Sequence, residues 1–294
     1  MIEDIEKFQR TSKSDYRFSI LIPTWNNLEF LKICVNSIKK NSHFDLQIIV
    51  IVNEGNDGTE EWIKNQKELD YIYSKKNIGI CWGLNIARSI VKSEYIIYVN
   101  DDMYVLPDWD LELYKEIEII GHKNFTLSST MIEPTDTGNA CVVVRDYGRN
   151  SHDFQEERLL NEYKSLSIED WSGSMSPPNV IHVDMWDLVG GMSIEFSPGI
   201  FSDYDFSRKL FEAGVRFFKG KGNSLVYHFG SKSIFRIKHN KGRKTFLLKW
   251  GYTTRIFNDK YLKRGKVFDG NITEPDLDIV TLIINKVKQF VNCW

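Results

Sequence analysis

The chain has 294 residues, 42% of them hydrophobic and 27% charged, with a formal net charge of −2. That balance belongs to a globular protein with room for one large domain or two small ones, and it gives no sign of the basic face that nucleic-acid binding requires. Cys34, Cys81, Cys141 and Cys293 form no C-x-x-C pair, so neither a zinc site nor a disulfide framework is expected, and without a membrane-length apolar run or a signal peptide the expected location is the cytoplasm.

Residues 1–16 are polar and predict a loosely attached lead-in. Residues 18–22 are apolar and β-branched, hence a buried strand, closed by Pro23-Thr24-Trp25-Asn26-Asn27. Leu28, Leu31, Val35 and Ile38 recur at helical spacing, with Asn26 or Asn27 as the N-cap. The unit then repeats as a strand over 46–52, a turn over 53–58 and a helix opening at Thr59. Residues 71–73 form a short strand, Asn77-Ile78-Gly79 leads into a helix over about 81–91, and the strand 95–99 ends in Asn100-Asp101-Asp102. Such alternation predicts a mostly parallel sheet covered on both faces, whose ligands sit at the carboxyl ends of the strands. The turns at 23–27, 53–58 and 100–102 should therefore converge on one crevice. Adjacent carboxylates stay ionised at low cost only in water or around a cation, and Mg²⁺ or Mn²⁺ suits so sparse a ligand set.

Taken in order, the segments FSILIPTWNN, IVNEGNDGT, NIGICWGLNIA and VNDDMYVLP resemble family 2 glycosyltransferases with the GT-A fold, over roughly residues 17–240. The resemblance implies an α/β Rossmann-like sandwich, with a central mostly parallel sheet flanked by helices and a C-terminal helical extension. After the lead-in, a nucleotide-sugar-binding half would span 17–120, an acceptor-binding and catalytic half 121–240, and a basic segment with an amphipathic helix 241–294. It also implies that Pro23, Thr24 and Asn26 line a nucleoside pocket. Where the family commonly has two aspartates, this chain has Asn53-Glu54, and Glu54 would accept from a uracil or thymine N3–H or a ribose hydroxyl. Asn77 and Gly79 match the family's N-x-G, the glycine allowing close backbone approach to the ligand. In the family's "DXD" motif Asp102 would be the metal ligand, and Asp101 would help through the ribose or a coordinated water.

In the second half, Leu111, Leu113, Tyr114 and Ile117 mark a helix and 125–131 a strand. The Gly-, Asn-, Ser- and Pro-rich stretch 133–180 reads either as a moving, acceptor-facing surface or as a solvated insertion. Trp186, before Gly190-Gly191, reads either as a platform for a sugar ring or as a core residue. The segment from Phe201 to Leu210 is similar to the family's E-D-x-D-x-x-x-R element, with Ser202 in place of the glutamate. By that match Asp203 is the general base; Asp205, two residues on, is the other carboxylate open to that role, or else caps the helix or pairs with Arg208. His228 stands where the family often has a histidine near metal and diphosphate, and is a candidate metal ligand or a structural hydrogen-bonder.

Arg236, Lys238, Lys241, Arg243, Lys244 and Lys249, then Lys260, Lys263, Arg264 and Lys266, make the tail basic. They suit folding over a diphosphate, meeting an anionic acceptor or a membrane surface, or plain solvation. Ile279, Leu282, Ile283, Val287, Phe290 and Val291 share one side of a final helix, expected to dock on its own protein or a partner helix, with a membrane interface as the other reading.

The resemblance thus implies an inverting, metal-assisted hexosyl- or N-acetylhexosaminyl-transferase. Its donor would be a nucleotide sugar, with UDP-sugar favoured, and its acceptor a hydroxyl of a glycan, a lipid-linked saccharide or a protein. A sugar-1-phosphate nucleotidyltransferase would carry a Gly-rich basic loop after the first strand, which Pro23-Thr24-Trp25-Asn26 is not. A non-catalytic carbohydrate-binding relative has no need of Asp101, Asp102 and Asp203.

Overall fold

A computed structural model describes residues 5–230 and 241–293. Its strands are β1 (Ile5–Phe8), β2 (Phe18–Trp25), β3 (Leu46–Asn53), β4 (Asp70–Ser74), β5 (Tyr95–Tyr98), β6 (Met103–Val105), β7 (Phe125–Glu133), β8 (Val142–Val144), β9 (Trp171–Ser172), β10 (Asn179–His182) and β11 (Phe217–His228). The helices are α1 (Leu28–Asn41), α2 (Thr59–Lys64), α3 (Gly79–Ala87), α4 (Trp109–Ile120), α5 (Glu156–Glu162), α6 (Val183–Leu188), α7 (Ser202–Glu212), α8 (Gly242–Trp250), α9 (Thr254–Ile256) and α10 (Ile279–Cys293).

The strands form one mixed sheet in the order β1-β4-β3-β2-β5-β10-β7-β11-β6, with β8 and β9 added on β7 and β11. As the strand–helix alternation predicts, β4, β3, β2 and β5 run parallel. Their apolar runs are continuous because both faces are covered. Ile48, Val50 and Val52 pack with Leu31, Val35 and Ile38 of α1, while the intervening Ile49 and Ile51 point to the opposite layer with Leu84 of α3 and Phe206 of α7.

Four expectations change. The lead-in is not loosely attached: β1 pairs antiparallel with β4 as the sheet's edge, and the buried Asp70 accepts from the Arg10 and Thr11 amides at 2.7 and 2.9 Å. The α1 entry is not capped by an asparagine side chain; Asp57 reaches across from the second turn to accept from the Leu28 amide at 2.8 Å. The stretch 133–180 holds β8, α5, β9 and the first half of β10, with Leu159 of α5 buried against an aromatic cluster that includes Tyr147, Tyr227 and Phe229. Finally, the apolar stripe of α10 does not dock on this chain, for Ile279, Leu282, Ile283, Val287, Phe290 and Val291 are all exposed.

Candidate active site

Strand register assembles the first cluster. The chain leaves β5 in mid-sheet, turns through Asn100, Asp101 and Asp102, and becomes β6 at the far edge. There Met103 pairs with His228 at the end of β11, and Ile132 of β7 pairs with Tyr227 on the other side. Asp102, His228 and Glu133 therefore lie in a row. The Asp102 Oδ1 is 3.3 Å from His228 Nε2, and His228 Nδ1 is 2.7 Å from Glu133 Oε1. Burial works against a charged imidazole, yet the two flanking carboxylates outweigh it and push the His228 pKa up to about 10.

With its Nε2 proton displaced, His228 could join Asp102 in holding a hard divalent cation. Two neighbouring ligands of an octahedral Mg²⁺ at 2.0–2.1 Å lie about 3 Å apart, close to the Asp102–His228 separation. A carboxylate on the outer imidazole nitrogen, here Glu133, is the usual orienting partner of a metal-binding histidine. Among the described residues no group of three or more His, Cys, Asp or Glu side chains is arranged to hold a metal. Water and phosphate oxygens would complete the shell. Glu133 escaped the sequence reading because only the β7–β11 register brings it beside His228.

Tyr98 links this cluster to the candidate base. Burial first, then the charges of Asp203, Asp101 and Asp102, drive its hydroxyl far above the usual range. Asp203 and the acidic pair thus bear on the same phenol from two elements. Burial also raises the Asp203 carboxyl above its ordinary value, with the Arg264 guanidinium pulling part of the way back. Arg264 is held in place by Ser176, whose Oγ accepts from its Nη2 at 2.8 Å. Gly173, at φ 90°, lets it in: a Cβ there would lie 2.7 Å from the Arg264 Cα.

The turns after β2, β3 and β4 are stitched together by side chains. Asn53 is buried; its Oδ1 accepts from the Ile78 amide at 3.0 Å and its Nδ2 donates to the Thr24 carbonyl at 3.4 Å. Glu54 has φ 64°, and its Oε2 accepts from Trp25 Nε1 at 2.8 Å and from Asn26 Nδ2 at 3.3 Å. Pro23 and Thr24 are buried in the sheet, so the half-buried Trp25 and Asn26 form the exposed lip of that turn. The Asn77 side chain accepts from the Gly79 amide at 2.9 Å. Gly79 permits a close approach to protein: a Cβ there would meet the Pro198 Cα at 2.9 Å, and the Ile80 amide donates to the Pro198 carbonyl at 2.8 Å. The third turn is thereby fixed to the loop that delivers α7 and Asp203.

A family model described as "Glycosyl transferase family 2" matches residues 19–175. The chain belongs to this family. Chondroitin synthase of Pasteurella multocida (strain Pm70) is 25% identical over 199 residues, which are 67% of this chain and 19% of that one. The chain thus spans about a fifth of the length of that curated relative. The solved structure of S. aureus TarS 1-349 in complex with UDP-GlcNAc is similar, with a TM-score of 0.56 at 12% identity, covering 94% of this chain and 72% of that one. GalNAc-T7 with UDP, GalNAc and Mn²⁺ gives a TM-score of 0.54 at 15% identity, covering 77% and 45%. These likenesses establish the GT-A fold for this family 2 glycosyltransferase.

Some residues that the sequence brought forward stand elsewhere in this family 2 chain. Trp186 is core: it is buried, with its ring centroid 5.0 Å from that of Phe206. Asp205 neither caps α7 nor pairs with Arg208. It is fully buried and accepts from Trp250 Nε1 at 2.8 Å, with Lys249 Nζ at 2.9 Å. Arg208 pairs with Glu212 and lies 4.9 Å from the Tyr261 ring and 5.0 Å from that of Phe211. Arg236 and Lys238 lie outside the described residues. Lys249, read as part of a basic tail, holds α8 against α7 through Asp205 and also pairs with Glu195 at 2.8 Å.

The two aspartates of α7 are therefore separable by experiment. Removing one partner of a buried ion pair costs several kcal/mol, and partial solvation of Lys249 tempers that to about 2–3 kcal/mol for Asp205→Ala. The expected result is a lower melting temperature, with turnover per folded molecule within a few-fold of the parent below the transition. Turnover that vanished while the melt stayed unchanged would give Asp205 a chemical role instead.

Proposed function

We propose that this chain is an inverting glycosyltransferase. It moves a hexosyl or N-acetylhexosaminyl group from a UDP-sugar to a hydroxyl of a glycan, a lipid-linked saccharide or a protein. The observation that supports this reading is that Asp203 of α7 and the Asp101–Asp102 turn both bear electrostatically on the buried Tyr98 hydroxyl, with His228 Nε2 3.3 Å from Asp102 Oδ1. The family membership and the UDP-bearing neighbours of the same fold support it.

The Trp25–Asn26–Glu54 lip takes the nucleoside, with the Glu54 carboxylate turned to a uracil N3–H or a ribose hydroxyl. Asp102 and His228 would hold a divalent cation, Mn²⁺ or Mg²⁺, with Asp101 assisting through the ribose or a coordinated water. When bound, that ion neutralises the charge growing on the departing diphosphate. Asp203 takes the proton of the acceptor hydroxyl as its oxygen attacks the anomeric carbon. The new C–O bond forms on the face opposite the leaving group, the bond to the diphosphate oxygen breaks, and UDP departs with that electron pair. Its raised pKa makes Asp203 a stronger base than an ordinary carboxylate. Arg264 keeps that carboxyl from being stranded in its protonated form.

A panel of nucleotides and nucleotide sugars, scanned by thermal shift with Mn²⁺, tests the reading. A ligand that binds only the folded state at a hundred times its Kd stabilises by about 2.7 kcal/mol. UDP and one or more UDP-sugars should raise the melting temperature by several degrees, and GDP, ADP and CDP by less. No shift with any uridine nucleotide would remove the donor assignment. Release of pyrophosphate from UTP and a sugar-1-phosphate would favour a nucleotidyltransferase.

A further inference from the structure

The last described helix, α10, is mounted with its polar side inward. Thr281, Asn285 and Gln289, spaced four apart, form the side toward the body. Asn285 is buried, and Gln289 Nε2 donates to the Leu247 carbonyl of α8 at 3.0 Å. The side facing away carries Ile279, Val280, Ile283, Val287, Phe290 and Val291, with Phe290 69% and Ile279 73% exposed. At 3.6 residues per turn these six occupy an arc of about 120°, flanked by the exposed Leu282 and Ile284, with Lys286 between Leu282 and the arc and Lys288 beyond Ile284. Folding alone gains nothing from an apolar arc held in water, since its burial is what would stabilise it.

Charge decides between the occupants. Residues 231–294 carry 14 Lys and Arg against 5 Asp and Glu, whereas residues 1–230 carry 24 against 35. The positive charge is therefore concentrated in the segment that bears the outward apolar arc. Lysines bordering such an arc can lay their methylene stems along it and lift their ammonium groups to the level of lipid phosphates. A second copy of this chain would bring the same cations against each other, which disfavours self-association through this face. Among the described residues no helix is long and apolar enough to cross a membrane, so the contact is with a surface.

We infer that α10 lies in the headgroup layer of an anionic bilayer, its Ile283–Val287–Phe290 side sunk toward the acyl chains and its lysines on lipid phosphates. This inference stands on α10 and the charge distribution, and not on the sugar-transfer reading.

Co-sedimentation of the full chain with vesicles tests it. The chain should pellet with phosphatidylcholine vesicles containing about one-quarter phosphatidylglycerol, less with phosphatidylcholine alone, and less as salt is added. Ile283→Asp combined with Phe290→Asp should lower partitioning at least about tenfold. Lys286→Gln with Lys288→Gln should lower it about tenfold on the anionic vesicles and little on the neutral ones. Ile283 and Phe290 are exposed, so the melting temperature of the double-aspartate variant should match the parent's, and the lysine variant is compared with the parent below its own melt. A parent chain that stays in the supernatant with anionic vesicles overturns the inference, as does a double-aspartate variant that pellets like the parent. A parent dimer in sedimentation velocity that the double-aspartate variant converts to monomer would assign the face to a second copy, and would overturn it as well.

Discussion

Asparagine at position 203 should lower turnover by about 10²- to 10⁴-fold, the usual contribution of a positioned general base. The amide keeps the size of the carboxyl and its place at the start of α7, and it cannot take a proton. On the proposed reading the donor is held by Trp25, Asn26, Glu54, Asp102 and His228 and not by Asp203, so the uridine-nucleotide thermal shift should match the parent's. Stability supplies an independent check. Burial raises the Asp203 carboxyl above its ordinary value, so folding disfavours its ionised form. A raised carboxyl lowers stability as pH climbs past the unfolded-state value, and the deficit is complete above the folded-state value. At neutral pH the Asp203→Asn protein should therefore melt no lower than the parent. In the parent, UDP-sugar turnover should rise with pH through the elevated pKa and then level off, because only the ionised carboxyl accepts the proton. Parent-like transfer by Asp203→Asn would place the base elsewhere.

The sequence made the first half of the fold legible because β2, β3 and β5 are buried on both faces and read as unbroken apolar runs between polar turns. The turn-borne acids stood out for the same reason: Asp101 and Asp102 interrupt an apolar stretch. What stayed hidden depends on pairings between residues far apart in the chain. Glu133 reaches His228 only through the β7–β11 register. Arg264 reaches the Asp203 neighbourhood only because residues 265–266 hydrogen-bond to Ser172. Asn53 was read as a departure from an expected aspartate, whereas its amide can both donate to Thr24 and accept from Ile78, which a carboxylate cannot do. The helical period of α10 fixed which residues share a side and said nothing of which side turns outward. The lead-in failed for a simpler reason: Ile5-Glu6-Lys7-Phe8 is too short and too charged to carry a strand signal, and its pairing is fixed by Asp70.

Removing the Asp102 side chain should abolish the effect of Mn²⁺ on nucleotide binding and reduce turnover about 10³-fold, the several kcal/mol a Lewis acid supplies at a leaving oxygen. On the proposed reading Asp102 is one of two groups, about 3 Å apart, that would hold the cation, and His228 alone is a poor site for a hard ion that prefers oxygen ligands. The two-ligand arrangement also predicts strong dependence between metal and nucleotide. A shell filled mainly by water is weak until phosphate oxygens join it, so Mn²⁺ should tighten UDP and UDP should tighten Mn²⁺ by the same factor. Titration calorimetry of UDP with and without Mn²⁺ measures that factor in the parent and should find it near unity in Asp102→Ala. Glu133→Gln is the companion variant. Its effect on the metal should be smaller, about 10- to 100-fold in affinity, because Glu133 touches only the outer nitrogen of His228. A parent-like Mn²⁺ effect in Asp102→Ala would mean that the ion is held by other groups, and that the row of Asp102, His228 and Glu133 is an internal brace across three strand ends.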